Sequence, residues 1–323
     1  MFKNILFGLS IVVILAACTV NGRSNDSHGQ AQKVKVTILS TMLSDYKGIG
    51  EWGFAALVEV DGNRLLFDTG AHPETVLINA RDLGIDLATV EDVFLSHNHW
   101  DHVGGLLTLR QMLMQENPKA LSRAHVGKGI FLSRPQGAKE GNKMIAIKTA
   151  YEKLGGTFVV YDKPRALFDN VWITGPVPRV YPEKNWNGNG KIVTDMGLQE
   201  DIIPEDMSLA INTAQGWVMV SGCGHSGIIN TMEYIQNSLG HEPVYAAIGG
   251  FHLYKADNAH LQWTTEKMKA FGVKEFLGAH CTGINATFII RNMMGMDRKT
   301  AVIGAVGNVF ELSSGIDAGN ISR

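Results

Sequence analysis

The sequence predicts an α/β fold in which two β-sheets pack face to face and helices cover both outer surfaces. Short β-branched runs alternate with turn signals and helical patterns, and this order recurs in both halves of the chain. Hydrophobic residues make up 45% of the 323 positions, which is enough for a sizeable buried core. The chain is therefore expected to be globular, with strands that end at chemically interesting loops.

The first half of the chain carries the clearest strand and helix signals. Asp61-Gly62-Asn63 separates two apolar runs and is typical of a tight β-hairpin turn. A histidine-rich segment follows the last predicted strand and precedes a helical pattern, so it is expected on a strand-to-helix loop. The predicted strands are Val34 to Ser40, Ala55 to Val60, Arg64 to Phe67 and Asp92 to Ser96, and the predicted helices are Pro73 to Leu83 and Gly104 to Gln115.

The second half repeats this order after an interruption. Gly175 to Asp206 is rich in Pro, Gly and Asn and is predicted to be a long loop. Arg179 and Trp186 within it are candidate substrate contacts on a lid, and a surface loop that only covers the core is the equal alternative. The strands predicted here are Leu209 to Asn212, Trp217 to Ser221, Val244 to Ile248 and Glu275 to Gly278, and the helices are Ile228 to Ser238 and Ala259 to Phe271.

The N-terminus has the pattern of an export signal. Lys3 precedes an apolar run from Ile5 to Ala17, which is shorter than the roughly 20 residues of a membrane-spanning helix. Leu15-Ala16-Ala17-Cys18 resembles a bacterial lipobox, which implies cleavage before Cys18 and lipid attachment to it. We expect a signal peptide at 1–17, a polar tether at 18–33 and a catalytic domain at 34–323. The protein is then an exported bacterial lipoprotein that faces the periplasm from the inner or outer membrane.

The charge of the chain indicates which partners to expect, and its cysteines indicate whether disulfides form. The formal net charge is −2, and no basic stripe is present, so nucleic acid is not expected as a partner. Cys223 and Cys281, the other two cysteines, form no recognisable disulfide framework and are predicted to be free, packed thiols. A small molecule is the expected substrate.

The segment His97-Asn98-His99-Trp100-Asp101-His102 concentrates metal-ligating residues. His97 and His99 are two apart and point the same way in an extended backbone, so both imidazoles can reach one metal. Asp101 and His102 face a second position. Imidazoles beside a carboxylate suit Zn²⁺, and manganese or iron can occupy the same donors.

Further candidate ligands must come from distant parts of the chain. His225 and His280 each follow a predicted strand and are flanked by glycines, which allow the backbone to approach a metal closely. Asp68 in Leu66-Phe67-Asp68-Thr69-Gly70 is predicted to accept a hydrogen bond from a ligand histidine and so to orient it.

The His-x-His-x-Asp-His pattern at His97 to His102 resembles the metallo-β-lactamase superfamily, which implies a four-layer αββα sandwich. Gly222-Cys223-Gly224-His225, Gly249-Gly250-Phe251-His252-Leu253 and Gly278-Ala279-His280-Cys281-Thr282-Gly283 resemble the branch that contains dihydropterin ribofuranosylaminobenzene phosphate synthases. The resemblance implies two zinc ions, held by two ligand sets: His97, His99 and His225 on one, and Asp101, His102 and His280 on the other.

One position departs from the superfamily pattern. Many members with two metals carry a bridging aspartate after the strand that here ends Ala247-Ile248-Gly249-Gly250, and no carboxylate stands there. We therefore expect the two metals to be less tightly coupled. His252 is predicted to contact substrate or a ligand rather than to bind metal directly.

These observations predict a metal-dependent hydrolase that uses metal-activated hydroxide on a small ester, phosphodiester, lactone or amide. Asp101 is the expected catalytic residue, which orients the nucleophile by hydrogen bonding. Two other functions stay open: a pterin-linked phosphoribosyl synthase or transferase of the same fold, and a metal-binding lipoprotein without catalytic activity. A flavodi-iron redox enzyme is disfavoured because it carries glutamate where His99 stands.

Overall fold

A computed structural model describes residue 1 and residues 29–322. The first half of this described part contains thirteen short elements. They are β1 (Val34–Ser40), β2 (Leu43–Ser44), β3 (Ala55–Val60), β4 (Asn63–Phe67), α1 (Thr75–Asp82), β5 (Asp92–Leu95), α2 (Trp100–Val103), α3 (Leu106–Leu113), β6 (Arg123–Gly127), β7 (Pro135–Gln136), β8 (Lys139–Glu140), α4 (Lys143–Lys153) and β9 (Thr157–Tyr161). The sequence predicted six of them: β1, β3, β4, β5, α1 and α3.

The second half continues directly from β9 and includes a 3₁₀ turn at His280–Thr282. Its strands and helices are β10 (Arg165–Phe168), β11 (Val171–Ile173), β12 (Lys191–Thr194), β13 (Gly197–Glu200), β14 (Leu209–Thr213), β15 (Gly216–Ser221), α5 (Ile228–Ser238), β16 (Val244–Gly249), α6 (Asn258–Phe271), β17 (Glu275–Gly278), α7 (Ile284–Met294), β18 (Ala301–Ile303), β19 (Ala305–Val306), β20 (Val309–Glu311) and β21 (Gly315–Asp317).

Two large sheets organise these elements. One has eight strands in the order β21-β20-β1-β3-β4-β5-β6-β9, and the other has seven in the order β10-β11-β14-β15-β16-β17-β18. Within them, β4, β5, β6 and β9 run parallel, as do β15, β16, β17 and β18. Parallel neighbours bring the loops that follow their carboxyl ends to the same edge of a sheet.

Three hydrophobic cores separate four layers. Alternate residues of one strand face different cores: Phe67 packs between the two sheets, whereas Leu66 packs under the helices that include α1 and α3. In the other sheet Val218 faces the inter-sheet core and Met219 packs under α5, α6 and α7. The period-2 pattern of each strand therefore supplies both faces of its sheet. The predicted αββα sandwich is confirmed.

Sequence patterns predicted the strands that lead into the histidine cluster, but several other strands and helices were not predicted. The hairpin turn is present, with Asp61 and Gly62 both at positive φ. Gly175 to Asp206 was predicted to be a loop and instead contains the β12–β13 hairpin. The elements that sequence patterns did not reveal include β6, α4, β9 and α7. α4, for example, buries only Met144 and Tyr151, so its sequence lacks a strong apolar stripe.

Part of the predicted tether packs against the domain. Ala31 is buried, its N–H donates to the Asn212 carbonyl at 2.8 Å, and it forms a parallel bridge with Thr213. The predicted signal peptide and Cys18 lie outside the described residues, apart from Met1. Among the residues that the structure describes, no helix is both long enough and apolar enough to cross a membrane.

Candidate metal centre

The predicted ligands meet where five strands end. Asp68 follows β4, His97 to His102 follow β5, His225 follows β15, His252 follows β16 and His280 follows β17. Because these are neighbouring strands in two facing sheets, their carboxyl ends converge at one edge of the sandwich. Residues that are far apart in the chain thus share a single buried cluster.

His97, His99 and His225 form the first triad. The Nε2 atoms of His225 and His97 are 3.1 Å apart, and His225 Nε2 lies 3.2 Å from His99 Nδ1. Tetrahedral zinc with Zn–N bonds of about 2.0–2.1 Å separates its nitrogen ligands by about 3.3 Å. The three nitrogens therefore have the spacing of ligands around one cation.

The hydrogen bonds behind this triad fix which ring nitrogens carry protons. Ser96 Oγ donates to Asp68 Oδ2 at 2.7 Å, so it accepts from His97 Nδ1 at 2.9 Å. The Asn185 carbonyl oxygen accepts from His225 Nδ1. Both Nε2 atoms then present lone pairs to each other, an arrangement that a bound cation stabilises.

Electrostatics also favour neutral rings in the first triad. Burial and the neighbouring histidines hold the pKa values of His97 and His225 well below the ordinary range. Burial lowers the pKa of His99 to about 4. Neutral imidazole is the form that binds metal. Because these three rings are already neutral at neutral pH, metal binding displaces no proton from their ligand nitrogens.

Asp101, His102 and His280 form the second triad. Asp101 Oδ2 lies 3.2 Å from His280 Nε2 and 3.9 Å from His102 Nε2. His280 is buried, yet neither of its ring nitrogens makes a hydrogen bond. Burial opposes ionisation of Asp101, but the adjacent His102 and His280 hold its pKa well below the usual range. An ionised carboxylate beside unpartnered imidazole nitrogens is a suitable donor set for a second cation.

Asp68, predicted from the sequence to accept a hydrogen bond from a ligand histidine, lies behind the second triad. It is fully buried, accepts the Ser96 N–H at 2.7 Å, and lies 2.7 Å from His102 Nδ1. Burial lowers the pKa of His102, but the carboxylates of Asp68 and Asp101 outweigh it and raise that pKa to about 9. The contact directs His102 Nε2 toward the cluster, and the raised pKa reflects a negative potential that also attracts cations.

The backbone is strained at this edge of the fold. Asp68, His252 and His280 have φ values of 54°, 51° and 46°, in the left-handed region that non-glycine residues seldom adopt. Such conformations cost about 1–3 kcal/mol each and persist where the surrounding structure enforces them. Here they aim three polar side chains at one cluster.

The cysteines are closer to the cluster than packed core thiols would be. Both are free and buried, as predicted. However, Cys223 Sγ lies 3.1 Å from His102 Nε2 and 3.2 Å from Cys281 Sγ. Sequence reasoning missed this position, although the flanking Gly222 and Gly224 and the closeness of His225 in the chain were available as signals.

His252 lies beside the first triad and at the wall of a cleft. Its ring centroid is 4.7 Å from that of His225, and its Nδ1 has no hydrogen-bond partner. A ring nitrogen of this half-buried side chain also lies within 4.8 Å of candidate ligand atoms of Cys223 and His225. The structure thus places His252 between the cluster and the cleft above it.

The cleft above the cluster has a volume of about 1390 Å³ and reaches His99, His225 and His252 at its base. Four exposed lysines line it, and none of them makes an ion pair within the described residues. The acidic residues of the cleft are already engaged: Asp201 pairs with Arg134 at 2.6 Å, and Asp257 caps α6. The lysines are Lys143, Lys184, Lys191 and Lys255.

The two candidate substrate contacts of the long loop, Arg179 and Trp186, lie in different positions relative to the cleft. Trp186 lines the cleft, and its Nε1 donates to Glu200 Oε1 at 2.7 Å. Arg179 does not line the cleft; its guanidinium donates to the carbonyls of Ile202 and Ile203 and stacks 5.3 Å from the Trp186 ring. Arg179 therefore supports Trp186 from behind and is not placed to contact substrate.

With this geometry in view, comparisons identify the family. The sequence profile described as "Metallo-beta-lactamase superfamily" matches residues 53–112. A protein of Methanocaldococcus jannaschii named 7,8-dihydropterin-6-methyl-4-(β-D-ribofuranosyl)-aminobenzene-5'-phosphate synthase is 32% identical over 276 residues, which cover 80% of this chain and 90% of that protein. The chain belongs to the metallo-β-lactamase superfamily.

Solved structures agree with this assignment. Tm1679, described as a metal-dependent hydrolase of the β-lactamase superfamily, is 26% identical with a TM-score of 0.70, and the match covers 86% of this chain and 99% of that one. Zn²⁺-bound PqqB from Methylobacterium extorquens shares the fold at 12% identity and a TM-score of 0.53, over 86% of this chain and 100% of the other. The resemblance to the synthase branch and the four-layer fold are thus both confirmed.

Proposed function

We propose that this protein is a metal-dependent hydrolase of a small anionic substrate, a phosphate ester or phosphodiester. The observation that carries the proposal is a buried cluster of two metal-ligand triads that opens into a cleft with four unpaired lysines. The triads suit cations, and the uncompensated positive charge of the cleft suits an anion.

The proposed metal ligands are the six residues of the two triads. His97, His99 and His225 would hold one cation, and Asp101, His102 and His280 the other. Zn²⁺ fits this set of imidazoles and one carboxylate best, and manganese or iron is the alternative. When bound, such cations supply Lewis acidity, which polarises a phosphoryl oxygen and acidifies water to a pKa of about 7 in the best-known zinc case.

The chain's own residues would orient the reactants. The proposed catalytic role of Asp101 is to accept a hydrogen bond from the attacking water through its ionised carboxylate and so to aim it at the substrate. Asp68 and the Asn185 carbonyl hold the rings of His102 and His225 in the required orientation. His252 at the base of the cleft is suitably placed to contact a substrate oxygen.

An activity screen tests the reaction. The zinc-loaded protein is expected to hydrolyse bis(p-nitrophenyl) phosphate faster than a neutral lactone or a β-lactam, and chelation should abolish that turnover. Faster hydrolysis of the neutral substrates would contradict the anionic preference. Full turnover after removal of all metal would contradict the metal-dependent mechanism.

Two lysines of α4 provide a matched test of the substrate's charge. Lys143 lines the cleft at the start of the helix, whereas Lys153 at its end is exposed elsewhere. We expect Lys143→Ala to raise KM for the phosphodiester about 3- to 10-fold at low salt, with kcat unchanged, because an exposed charge contact contributes about 1 kcal/mol. Lys153→Ala should leave KM unchanged. Equal effects of the two substitutions on KM would contradict the proposal that lysines of the cleft bind the anionic substrate.

A pterin-linked synthase is the second candidate. The relative from Methanocaldococcus jannaschii carries that name, and the cleft of this protein is lined by Trp100, Trp186 and Tyr254, whose rings can stack on a flat heterocycle. Incubation with a 7,8-dihydropterin that carries a leaving group on its 6-methyl carbon, together with a ribofuranosylaminobenzene 5'-phosphate, distinguishes the two functions, because the condensation must expel that group. A condensed product identified by mass spectrometry supports the synthase, and phosphate-ester cleavage supports the hydrolase.

The proposed location is outside the inner membrane, anchored by a lipid on Cys18. The apolar run Ile5 to Ala17 before that cysteine supports the proposal. Mass spectrometry of the N-terminal peptide should find a lipid on Cys18, and Cys18→Ala should release the protein from the membrane fraction. An unmodified N-terminus at Met1 in the soluble fraction would contradict export.

A further inference from the structure

Cys223 lies between the two metal triads. Its Sγ is within 4.8 Å of ligand atoms of His97 and His102, and also within that distance of His225 and His280. These four histidines belong to both triads, two to each. A single sulfur atom therefore lies close to candidate ligand atoms of both triads.

The geometry also explains why no carboxylate stands after β16, where many members of the superfamily carry a bridging aspartate. After β16, a side chain on Gly250 would have its Cβ 2.0 Å from the Gly222 carbonyl oxygen and 3.0 Å from Cys281 Sγ. The loop after β15 thus occupies the space that an acidic residue after β16 would need. That same loop carries Cys223, which it brings to 3.1 Å from His102 Nε2.

The two cysteines differ in what they face. Cys281 Sγ accepts the His252 N–H at 3.3 Å and lies 3.2 Å from Cys223 Sγ, and it approaches the histidine nitrogens of only one triad, through His280. Cys223 approaches both triads. The ring nitrogens of buried His280 make no hydrogen bond, although Nε2 lies 3.2 Å from Asp101 Oδ2, and this is an independent sign that this part of the cluster is built to bind a ligand.

We propose that Cys223 is a thiolate ligand shared by the two metal positions, in place of the bridging carboxylate. The inference rests on the proposed metal centre. When metal binds, the Cys223 S–H bond breaks, its proton passes to solvent, and sulfur forms the metal bonds without any change of oxidation state. Cys281, whose Sγ lies 3.2 Å from Cys223 Sγ, then positions that sulfur.

Cobalt substitution tests this assignment in the full-length protein under a phosphine reductant. Wild-type protein loaded with two Co²⁺ per chain is expected to show a near-ultraviolet thiolate-to-cobalt charge-transfer band. Cys223→Ser should lose the band completely, while the matched control Cys281→Ser keeps it. Cys223→Asp should bind two Co²⁺ without the band, because its carboxylate can replace the bridge.

The outcomes separate the inference from the proposed function. Visible ligand-field bands without the charge-transfer band in the wild type overturn the role of Cys223 but leave the metal centre intact. A band that persists in Cys223→Ser or Cys223→Asp, or that disappears only in Cys281→Ser, also overturns it. Absence of any cobalt binding contradicts the metal centre itself.

Discussion

Two buried histidine–aspartate pairs lie at opposite ends of the same strand, β5. Beyond its carboxyl end, His102 Nδ1 is 2.7 Å from Asp68 Oδ2. At its amino end, Asp92 Oδ1 is 2.8 Å from His125 Nε2. The distances alone do not distinguish the pairs, since both would serve equally well to orient an imidazole.

The two pairs differ in what the other ring nitrogen of the histidine faces. His125 Nδ1 lies 2.9 Å from the Tyr161 hydroxyl, and Asp92 also accepts two hydrogen bonds from Arg123 at 2.7 Å. Every group of that pair is satisfied within the fold. His102 Nε2 instead faces the sulfur of Cys223 and the other ligands. A histidine–carboxylate pair is therefore evidence of a metal site only when its free nitrogen points at further ligands.

Removal of bound metal should give the largest change in stability, and that change should depend on the His102–Asp68 region and not on the His125–Asp92 pair. A cation held at 1,000 times its Kd stabilises the native state by about 4 kcal/mol, which corresponds to roughly 10 °C in Tm for a domain of this size. We expect chelation to lower Tm by about this amount in the wild type and equally in His125→Ala. Differential scanning calorimetry with and without chelator measures both. A Tm that does not respond to chelation would remove the distinction between the two pairs.

Substitution of one histidine from each region should have the next largest effect. His99→Ala removes a proposed ligand, so turnover should fall at least about 100-fold and metal content should drop. His125→Ala should keep metal and turnover, and it should destabilise the fold by about 1–3 kcal/mol because it leaves buried hydrogen-bond partners. Metal analysis, kinetics and urea unfolding provide the readouts. Full metal content and full turnover in His99→Ala would contradict the ligand assignment.

The two aspartates allow a finer test. Asp68→Asn should weaken metal affinity by about 10- to 100-fold, because the His102 ring loses its charged acceptor. Asp92→Asn should leave that affinity unchanged, since its neighbours do not touch the cluster. Competition with a chromogenic chelator measures both affinities. Equal losses in the two variants would indicate that the effects are on overall stability and not on metal binding.

The pH dependence of stability should show the smallest effect. Burial raises the pKa of Asp92, but Arg123 and His125 outweigh it and lower the value from 3.8 to about 2. Because the folded pKa is the lower one, this carboxylate stabilises the fold above pH 3.8, and its contribution of about 1 kcal/mol is lost as pH falls toward 2. The stability gap between wild type and Asp92→Asn should therefore shrink from pH 5 to pH 2.5 in urea unfolding. A constant gap would contradict the lowered pKa.

The pattern of local residues was enough to predict much of this protein. Strand periodicity located β1, β3, β4 and β5 to within a residue or so, and the dense segment His97 to His102 indicated a metal site without reference to the rest of the chain. Such features depend on neighbours along the chain, and side-chain alternation and turn chemistry express them directly.

Only the tertiary structure decided the surroundings of those ligands. The Asn185 carbonyl orients His225 across 40 residues of sequence, and Cys223 reaches His102 across 121. Contacts of this kind follow from how the two sheets pack and leave no local signature in residue spacing. The sequence by itself determined which side chains can bind metal, and the packing of the sheets determined that Cys223 lies close to the histidines of both triads.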